Sequence, residues 1–175
     1  MIDEIRQKLG NDYNYIVADC QSIPFKNNYF DTIVANHMLF YLKDLKQGLT
    51  EITRVLKNNG TFYCTTYSKY HMQEISELAQ NFDSRISLSD DPLPERFGLE
   101  NGKDILKSYF NYVELKKYED YLLITEAQPL IDYILSCHGN QNEYLGNRLK
   151  EFKIYIEDLI KESQGIKITK DSGLF

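Results

Sequence analysis

The sequence predicts an α/β fold in a single domain, with a mainly parallel sheet flanked by helices. Two observations support this prediction. Short apolar runs typical of buried strands alternate along the chain with longer stretches whose apolar residues recur at helical spacing. The chain has 175 residues, of which 42% are hydrophobic and 26% are charged. This balance is that of an ordinary globular domain with one hydrophobic core.

The first part of the chain predicts one helix followed by two strands. Three apolar residues recur at helical spacing near the start: Ile2, Ile5 and Leu9. They predict a short amphipathic helix. Residues 15–18 form an apolar run closed by Asp19, which is typical of a buried strand. Residues 30–36 form a second run of this kind after a polar loop.

A second helix and a third strand follow. Asp44 with Gln47 three positions later has the pattern of a helix N-cap. Four apolar residues then lie on one helical stripe: Leu45, Leu49, Ile52 and Leu56. The pair Asn59-Gly60 is expected to end this helix with a left-handed residue. Residues 61–66 are rich in strand-forming residues, so we expect a strand directly after that turn.

The remainder of the chain predicts more helices and strands around one irregular stretch. Residues 72–82 carry a helical apolar stripe. Residues 85–102 are polar and contain prolines and glycines, so we interpret them as a loop or lid. A long helix near residues 149–160 and a last strand from residue 166 close the domain. We expect this C-terminal strand to be antiparallel.

Composition and charge exclude several classes of protein. The net charge is -6 and the pI is about 5.1, so long-range attraction to nucleic acid is not expected. The sequence has neither an apolar signal core at its start nor a run of about 18 apolar residues, so neither secretion nor a membrane partner is expected. Its three cysteines are widely spaced, which favours free thiols in the cytoplasm. The histidine and cysteine spacings predict no metal site.

Four motifs occur in order between residues 15 and 67. They stand in the sequence as YIVADC, SIPFKNNYFDTIVANHMLFYL and EITRVLKNNGTFYCTTY. They comprise a strand ending in Asp, an Ile-Pro-Phe loop, Phe-Asp opening a strand, and Arg-Val-Leu-Lys before a Gly turn. Together they resemble the middle of the type 11 family of class I S-adenosylmethionine-dependent methyltransferases. The resemblance implies a Rossmann-like sheet and methyl transfer to a small-molecule acceptor.

The resemblance also implies that part of the family pattern is missing. Members open with a strand and a D-x-G-x-G-type loop, and this sequence contains no G-x-G run. The opening MIDEIR resembles the helix that follows the second strand of the family. We therefore expect an N-terminally truncated fold that lacks its first two strand-helix units, in which Met1 corresponds to an internal methionine of a longer parent.

Cofactor-binding residues are expected just after the strands, because ligands of open α/β sheets lie beyond the carboxyl ends of the strands. By resemblance, the carboxylate of Asp19 would accept from the adenine amino group, and the backbone amide of Cys20 would donate to the ring. The backbone of Asn36 would lie near the sulfonium. Tyr41 would form a wall of the cofactor pocket. Alternatively, Asp19 only caps a turn of its own loop.

Substrate-side residues are expected at the same edge of the sheet. His37 follows the strand at residues 30–36 and is the candidate proton acceptor, since histidine ordinarily titrates near neutral pH. Phe40 would form a wall of the acceptor pocket, and His71 would lie where substrate enters. His37 as a hydrogen-bonded structural group and Phe40 as plain packing remain alternative interpretations.

Two further hypotheses remain beside the methyltransferase. The chain can be a non-catalytic remnant that acts as an interaction module. In that case the strand at residues 30–36 would have an open edge. Either residues 15–19 would pair there, or a second copy would pair and form a homodimer, which we expect because the connection to residue 30 is short for a parallel crossover. A nucleotide-dependent dehydrogenase would need a G-x-G-x-x-G turn, which the sequence lacks.

Overall fold

The computed structural model describes residues 2–89 and 91–175 of the chain. Met1, expected above to be an internal methionine, and Asp90, within the expected lid, lie outside the described residues. The helices are α1 (Ile2–Leu9), α2 (Leu45–Val55), α3 (Gln73–Phe82), α4 (Leu93–Arg96), α5 (Gly102–Lys107), α6 (Ala127–Ser136), α7 (Gln141–Leu145) and α8 (Leu149–Ser163). The strands are β1 (Phe30–Asn36), β2 (Leu56–Tyr67), β3 (Lys116–Ile124) and β4 (Ile166–Leu174).

The four strands form one mixed sheet in the order β1-β2-β4-β3. β1 and β2 are parallel, with Asn36 opposite Thr65 at their carboxyl ends. β4 runs antiparallel to both β2 and β3, so the chain returns through the sheet at its C-terminal end. The predicted α/β class and the antiparallel C-terminal strand are confirmed.

α2 begins as predicted but ends earlier. The Asp44 side chain accepts a hydrogen bond from the Gln47 N–H at 2.9 Å, which confirms the N-cap. The expected left-handed stop at Gly60 is wrong, because β2 starts at Leu56 directly after the helix. Gly60 is needed for a different reason. A Cβ there would lie 2.9 Å from the Asp31 carbonyl oxygen, so only glycine allows the two strands to approach.

The strand predicted at residues 15–18 does not form. Residues 15–18 are in no strand. The nearest β-type backbone pairing is an isolated bridge between Asp19 and Ser22. An apolar run becomes a strand only when a neighbour accepts its backbone hydrogen bonds. The open edge here is that of β1, and the connection between Asp19 and Phe30 is too short for a parallel crossover. The expectation that residues 15–19 pair beside β1 is therefore wrong.

Two hydrophobic clusters hold the fold together. One joins α3, α6 and α8 to β4 and includes the fully buried Phe152, Ile156 and Ile168. The other lies between α2, α5 and one face of β1 and β2, and includes Ala35 and Cys64. Burial raises the pKa of the Cys64 thiol to about 12, so this cysteine is a core residue and not a nucleophile.

The opposite face of β1 and β2 is uncovered. Ala35 and Cys64 are buried on the packed face, whereas their neighbours Val34 and Tyr63 point the other way and lie opposite each other in the register. Val34 is 58% exposed and Tyr63 is 42% exposed. The outer edge of β1 has no strand partner in the described part of the chain. The parallel half of the sheet therefore has an open edge, and the face beside it exposes two large apolar side chains.

The stretch expected to be a loop or lid is partly packed. It contains α4 and buries three apolar residues: Ile86, Phe97 and Leu99. The Thr66 hydroxyl donates to the Phe97 carbonyl at 2.7 Å, and the Asn140 side chain accepts from the Ser87 N–H at 2.7 Å. These contacts fix both ends of the stretch to the sheet and to the loop before α7. Whether any part of it moves as a lid stays a prediction.

Among residues 2–89 and 91–175, the longest helix is too short and too polar to cross a lipid bilayer.

Candidate functional site

The carboxyl ends of β1 and β2 meet in a hydrogen-bonded corner. The His37 N–H donates to the Thr65 carbonyl at 3.2 Å and to the Thr65 hydroxyl oxygen at 3.1 Å. The Thr65 hydroxyl in turn donates to the Asn36 side-chain oxygen at 3.4 Å. His37 has a φ of 47°, in the left-handed region that side chains rarely adopt. Conformations of this kind concentrate at functional sites, so the corner is a candidate site on geometric grounds.

Tyr67 is the centre of an aromatic cluster at this corner. Its ring stacks on His37 at 6.1 Å between centroids and contacts Phe40 at 5.0 Å and His71 at 5.2 Å. Burial raises the pKa of the Tyr67 phenol, and the nearby Tyr41 acts in the same direction. The phenol is therefore neutral at physiological pH. We define the tyrosine cluster as these rings: His37, Phe40, Tyr41, Tyr67 and His71.

The sequence analysis did not select Tyr67. The rule that ligands lie beyond the carboxyl ends of parallel strands could have identified it, because Tyr67 is the last residue of β2. Of its neighbours, Phe40 is buried in the core and packs on Tyr41 at 4.7 Å, while Tyr41 is exposed. Phe40 therefore supports the cluster from beneath, whereas Tyr41 faces solvent.

Asp19 and Cys20 lie in a separate turn. The Asp19 carboxylate accepts from the Gln21 N–H at 2.8 Å, and its carbonyl accepts from the Ser22 N–H at 3.0 Å. The carboxylate thus caps a turn, although its second oxygen has no hydrogen-bond partner in the described part of the chain. Cys20 is half-buried, and burial together with the carboxylates of Asp19 and Glu51 raises the pKa of its thiol.

The chain that follows this turn is fixed to α2 by side chains. Arg54 donates to the carbonyl oxygens of Ile23 at 2.9 Å and Phe25 at 2.7 Å. Glu51 accepts from the Ile23 N–H at 2.9 Å and forms an ion pair with Arg54 at 2.7 Å. The hydrogen bonds from Arg54 lower the pKa of Glu51 to about 2. This anchor fixes the chain that follows the Asp19 turn, and no pattern in the sequence indicated it.

The structure therefore brings together only part of the predicted site. His37, Phe40, Tyr41 and His71 share the tyrosine cluster, and Asn36 adjoins it through Thr65. No hydrogen bond or ring contact joins Asp19 or Cys20 to that cluster within residues 2–89 and 91–175. The predicted cofactor-binding residues thus lie in two groups.

Two other features bear on the assignment. The described residues contain no group of histidine, cysteine and carboxylate side chains arranged to hold a metal ion. A cavity of about 620 Å³ lies near the start of β2, lined in part by Phe62, Phe110 and Tyr112. None of the predicted site residues lines this cavity, so we place the candidate site at the tyrosine cluster.

Comparison with known proteins defines the class of the fold. The structure superposes on YcgJ from Bacillus subtilis with a TM-score of 0.55 at 16% identity, over 98% of this chain and 74% of that one. It superposes on a putative methyltransferase from Bacillus halodurans with a TM-score of 0.58 at 12% identity, over the same shares of the two chains. At this level of identity the likeness shows the fold alone. The chain has the Rossmann-like methyltransferase fold.

Sequence comparison gives the family. Residues 1–64 match the family model described as a methyltransferase domain. Malonyl-[acyl-carrier protein] O-methyltransferase from Chlorobium luteolum is 25% identical over 90% of this chain and 57% of its own length. Ubiquinone/menaquinone biosynthesis C-methyltransferase UbiE from Vibrio cholerae is 30% identical over 48% of this chain and 33% of its own length. Over these stretches the chain is similar to methyltransferases, and it spans less than two thirds of the length of these curated relatives.

Proposed function

We propose that this chain contributes to methyl transfer from S-adenosylmethionine to a small-molecule acceptor. The observation that supports the proposal most is the position of the tyrosine cluster. It lies at the adjoining carboxyl ends of two parallel strands, in a chain whose residues 1–64 match a methyltransferase domain. The two relatives named above are an O- and a C-methyltransferase, so the comparisons leave the acceptor atom open.

The residues present fit the adenine end of the cofactor. Adenine presents an amino donor beside a ring-nitrogen acceptor, so it needs an acceptor next to a donor. Asp19 retains a free carboxylate oxygen, and the adjacent Cys20 N–H has no acceptor in the described part of the chain. The backbone of Asn36 is the candidate for the sulfonium end, and Tyr41 is the candidate for a wall of the cofactor pocket.

The remaining residues of the site would act on the acceptor. S-adenosylmethionine supplies an activated methyl group when bound. Tyr67 and Tyr41 offer flat rings against which a planar acceptor can lie, and Phe40 supports them from the core. The exposed His37 would remove the proton from a hydroxyl or amine acceptor. Holding the acceptor and the methyl donor in line is the main contribution expected of such a site.

Titration of the labelled chain with S-adenosylhomocysteine tests this proposal. We expect changes in the NMR amide signals of Asp19, Cys20 and Asn36. Asp19→Ala should weaken binding about tenfold, because it removes one charge-assisted hydrogen bond. Asp31→Ala is the matched control, since Asp31 pairs with Lys57 near the opposite ends of the strands and should bind normally. An absence of changes at all three residues would overturn the proposal.

A second candidate function is favoured by the open edge of β1. We propose that a non-catalytic form of this chain would act as a homodimerising module through that edge. A long unpaired strand edge beside exposed Val34 and Tyr63 favours pairing with another chain. A two-fold symmetric pair of β1 strands would form a continuous antiparallel sheet across two copies and would satisfy the open backbone groups of both edges.

Light scattering on the purified chain tests the dimer. We expect a dimer, and we expect Val34→Lys to shift it towards monomer because a lysine on an edge strand opposes pairing with another chain. Ile154→Lys is the matched control, since Ile154 in α8 is also 58% exposed but lies away from β1. A monomeric wild-type chain would contradict the proposal, as would a Val34→Lys variant that remains fully dimeric.

A further inference from the structure

His71 is held through one ring nitrogen by the backbone of β4. The Asp171 N–H donates to His71 Nδ1 at 3.0 Å. The contact is reinforced on either side, because the Ser68 N–H donates to the Asp171 carbonyl at 3.0 Å and the Met72 N–H donates to the Thr169 carbonyl at 2.9 Å. A nitrogen that accepts a backbone N–H carries no proton of its own. The neutral ring therefore carries its proton on the other nitrogen, Nε2.

Nε2 is available to a ligand. No hydrogen bond to this atom was found within residues 2–89 and 91–175. In the same residues, the buried side-chain atoms that lack a hydrogen-bond partner are Glu74 Oε2 and Gln141 Oε1. His71 Nε2 is not one of them. Nε2 therefore retains access to solvent beside the Tyr67 ring, whose centroid lies 5.2 Å from that of His71.

The surroundings of His71 favour the neutral ring. Burial lowers the pKa of His71 and is the largest effect, while the contact with Asp171 acts in the opposite direction. Asp171 and Glu74 are the acidic groups that face it, from β4 and α3, and Tyr67 faces it as a neutral phenol. The Glu74 carboxylate is engaged by the Thr169 N–H at 3.1 Å. The ring is thus a neutral donor at physiological pH.

We propose that His71 is a specificity-determining residue, fixed as the Nε2–H tautomer, that donates a hydrogen bond to a carbonyl oxygen of the methyl acceptor. That the ligand is a methyl acceptor rests on the proposed function. The two histidines of the tyrosine cluster then have different roles. His37 is the exposed proton acceptor, and His71 recognises an oxygen beside the flat surface of Tyr67. An acceptor that lacks this oxygen would bind without that hydrogen bond and therefore more weakly.

The tautomer is tested by NMR of the ¹⁵N-labelled histidine rings, without cofactor or methyl transfer. We expect His71 to show an unprotonated Nδ1 and a protonated Nε2 from pH 8 down to about pH 6.5, the ordinary histidine value. A proton on Nδ1, or a ring that is already charged above that pH, would overturn the proposal. This result does not depend on whether the chain binds S-adenosylhomocysteine, so the two proposals fail separately.

Two substitutions separate the anchor from the donor. In His71→Asn the amide oxygen can occupy the place of Nδ1 and keep the Asp171 bond, but the donor at Nε2 is lost. In His71→Gln the amide nitrogen can occupy the place of Nε2, but the anchor is lost. Both variants are first checked for folding by the dispersion of their NMR spectra.

The probe is acetophenone, compared with ethylbenzene, which keeps the aromatic ring and the two-carbon chain but lacks the carbonyl oxygen. In the wild-type chain we expect acetophenone to shift the Tyr67 and His71 ring signals and to bind about tenfold more tightly than ethylbenzene, the effect of one well-placed hydrogen bond. His71→Asn should lose this preference, and His71→Gln should retain part of it. Equal binding of both probes, no binding of acetophenone, or a preference that survives in His71→Asn would each overturn the proposal.

Discussion

α1 and α8 have similar patterns of apolar residues but differ in how much of the apolar stripe is buried. Each carries an apolar stripe at helical spacing, and each forms the helix that this spacing predicts. α8 buries Phe152 and Ile156 completely against α3, α6 and β4, whereas α1 has no buried residue. The helical spacing of apolar residues predicts that a segment can bury one face as a helix. It does not predict whether another element covers that face.

The same contrast separates two strand-like runs. Residues 15–18 and β1 are both short and apolar, yet only β1 pairs, because β2 lies beside it. Val17 is left 87% exposed. The chain directly after the Asp19 turn is nevertheless held, since Arg54 and Glu51 bind the backbone of Ile23 from α2. Local order before β1 is therefore determined by side-chain anchors and not by the apolar pattern.

The largest effect is expected in the packed helix. Phe152→Ala should destabilise the fold by about 3–5 kcal/mol, because a fully buried ring that packs on Phe82 would leave a cavity. Urea denaturation followed by circular dichroism measures the change. Phe152→Leu should cost clearly less, since it leaves a smaller cavity. An unchanged midpoint for Phe152→Ala would mean that the α8 cluster does not pack in solution as it does here.

The anchor around Glu51 predicts a pH dependence. Its folded pKa of about 2 lies below the ordinary value, so the unfolded state binds more protons between roughly pH 4.5 and pH 2. The stability that Glu51 contributes is present above that window and is lost as the pH falls through it. Glu51→Gln should cost about 1–2 kcal/mol at pH 7 and should flatten this part of the profile.

Denaturation midpoints of wild type and Glu51→Gln at a series of pH values measure the difference. Glu157→Gln is a suitable control, because Glu157 lies on α8, remote from the anchor. Two parallel profiles, separated by the same amount at pH 7 and pH 3, would show that the charge of Glu51 does not stabilise the fold.

The cap of α2 predicts a smaller effect. Asp44→Ala should destabilise the fold by about 1 kcal/mol, because the Gln47 N–H loses its acceptor. Asp44→Asn keeps a side-chain oxygen at the same place and should cost a few tenths at most. Thermal or urea denaturation distinguishes the two. Equal losses for both variants would assign the effect to charge at the helix end and not to the hydrogen bond.

The sequence could predict those features that depend on neighbours along the chain. The Asp44 cap, the α2 stripe and the β1 run are local patterns, and each formed as expected. His37, Phe40, Tyr41 and His71 were selected because residues after strands meet at one edge of a sheet, and the structure does bring them together. The roles of these residues in a site stay predictions.

What the sequence could not predict depends on distant partners. Tyr67 became the centre of the cluster only because the parallel register of β1 and β2 places it beside His37 and Phe40. The anchor of Arg54 joins residues 31 positions apart and has no sequence pattern. Gly60 resembled a helix stop, but it allows the close approach of β1. In each case a tertiary contact determined the role of the residue.

The smallest effect is expected in α1, and it tests the opening comparison most directly. Leu9 is 57% exposed and contacts no core cluster, so Leu9→Ala should change the free energy of unfolding by less than about 0.5 kcal/mol. The apolar stripe of α8 gives the matched measurement through Phe152→Ala. A loss of 1 kcal/mol or more at Leu9 would mean that α1 packs against a surface in solution. The uncovered face at Val34 and Tyr63 would then be the first place to look for it, because an amphipathic helix and an exposed apolar sheet face stabilise each other when they meet.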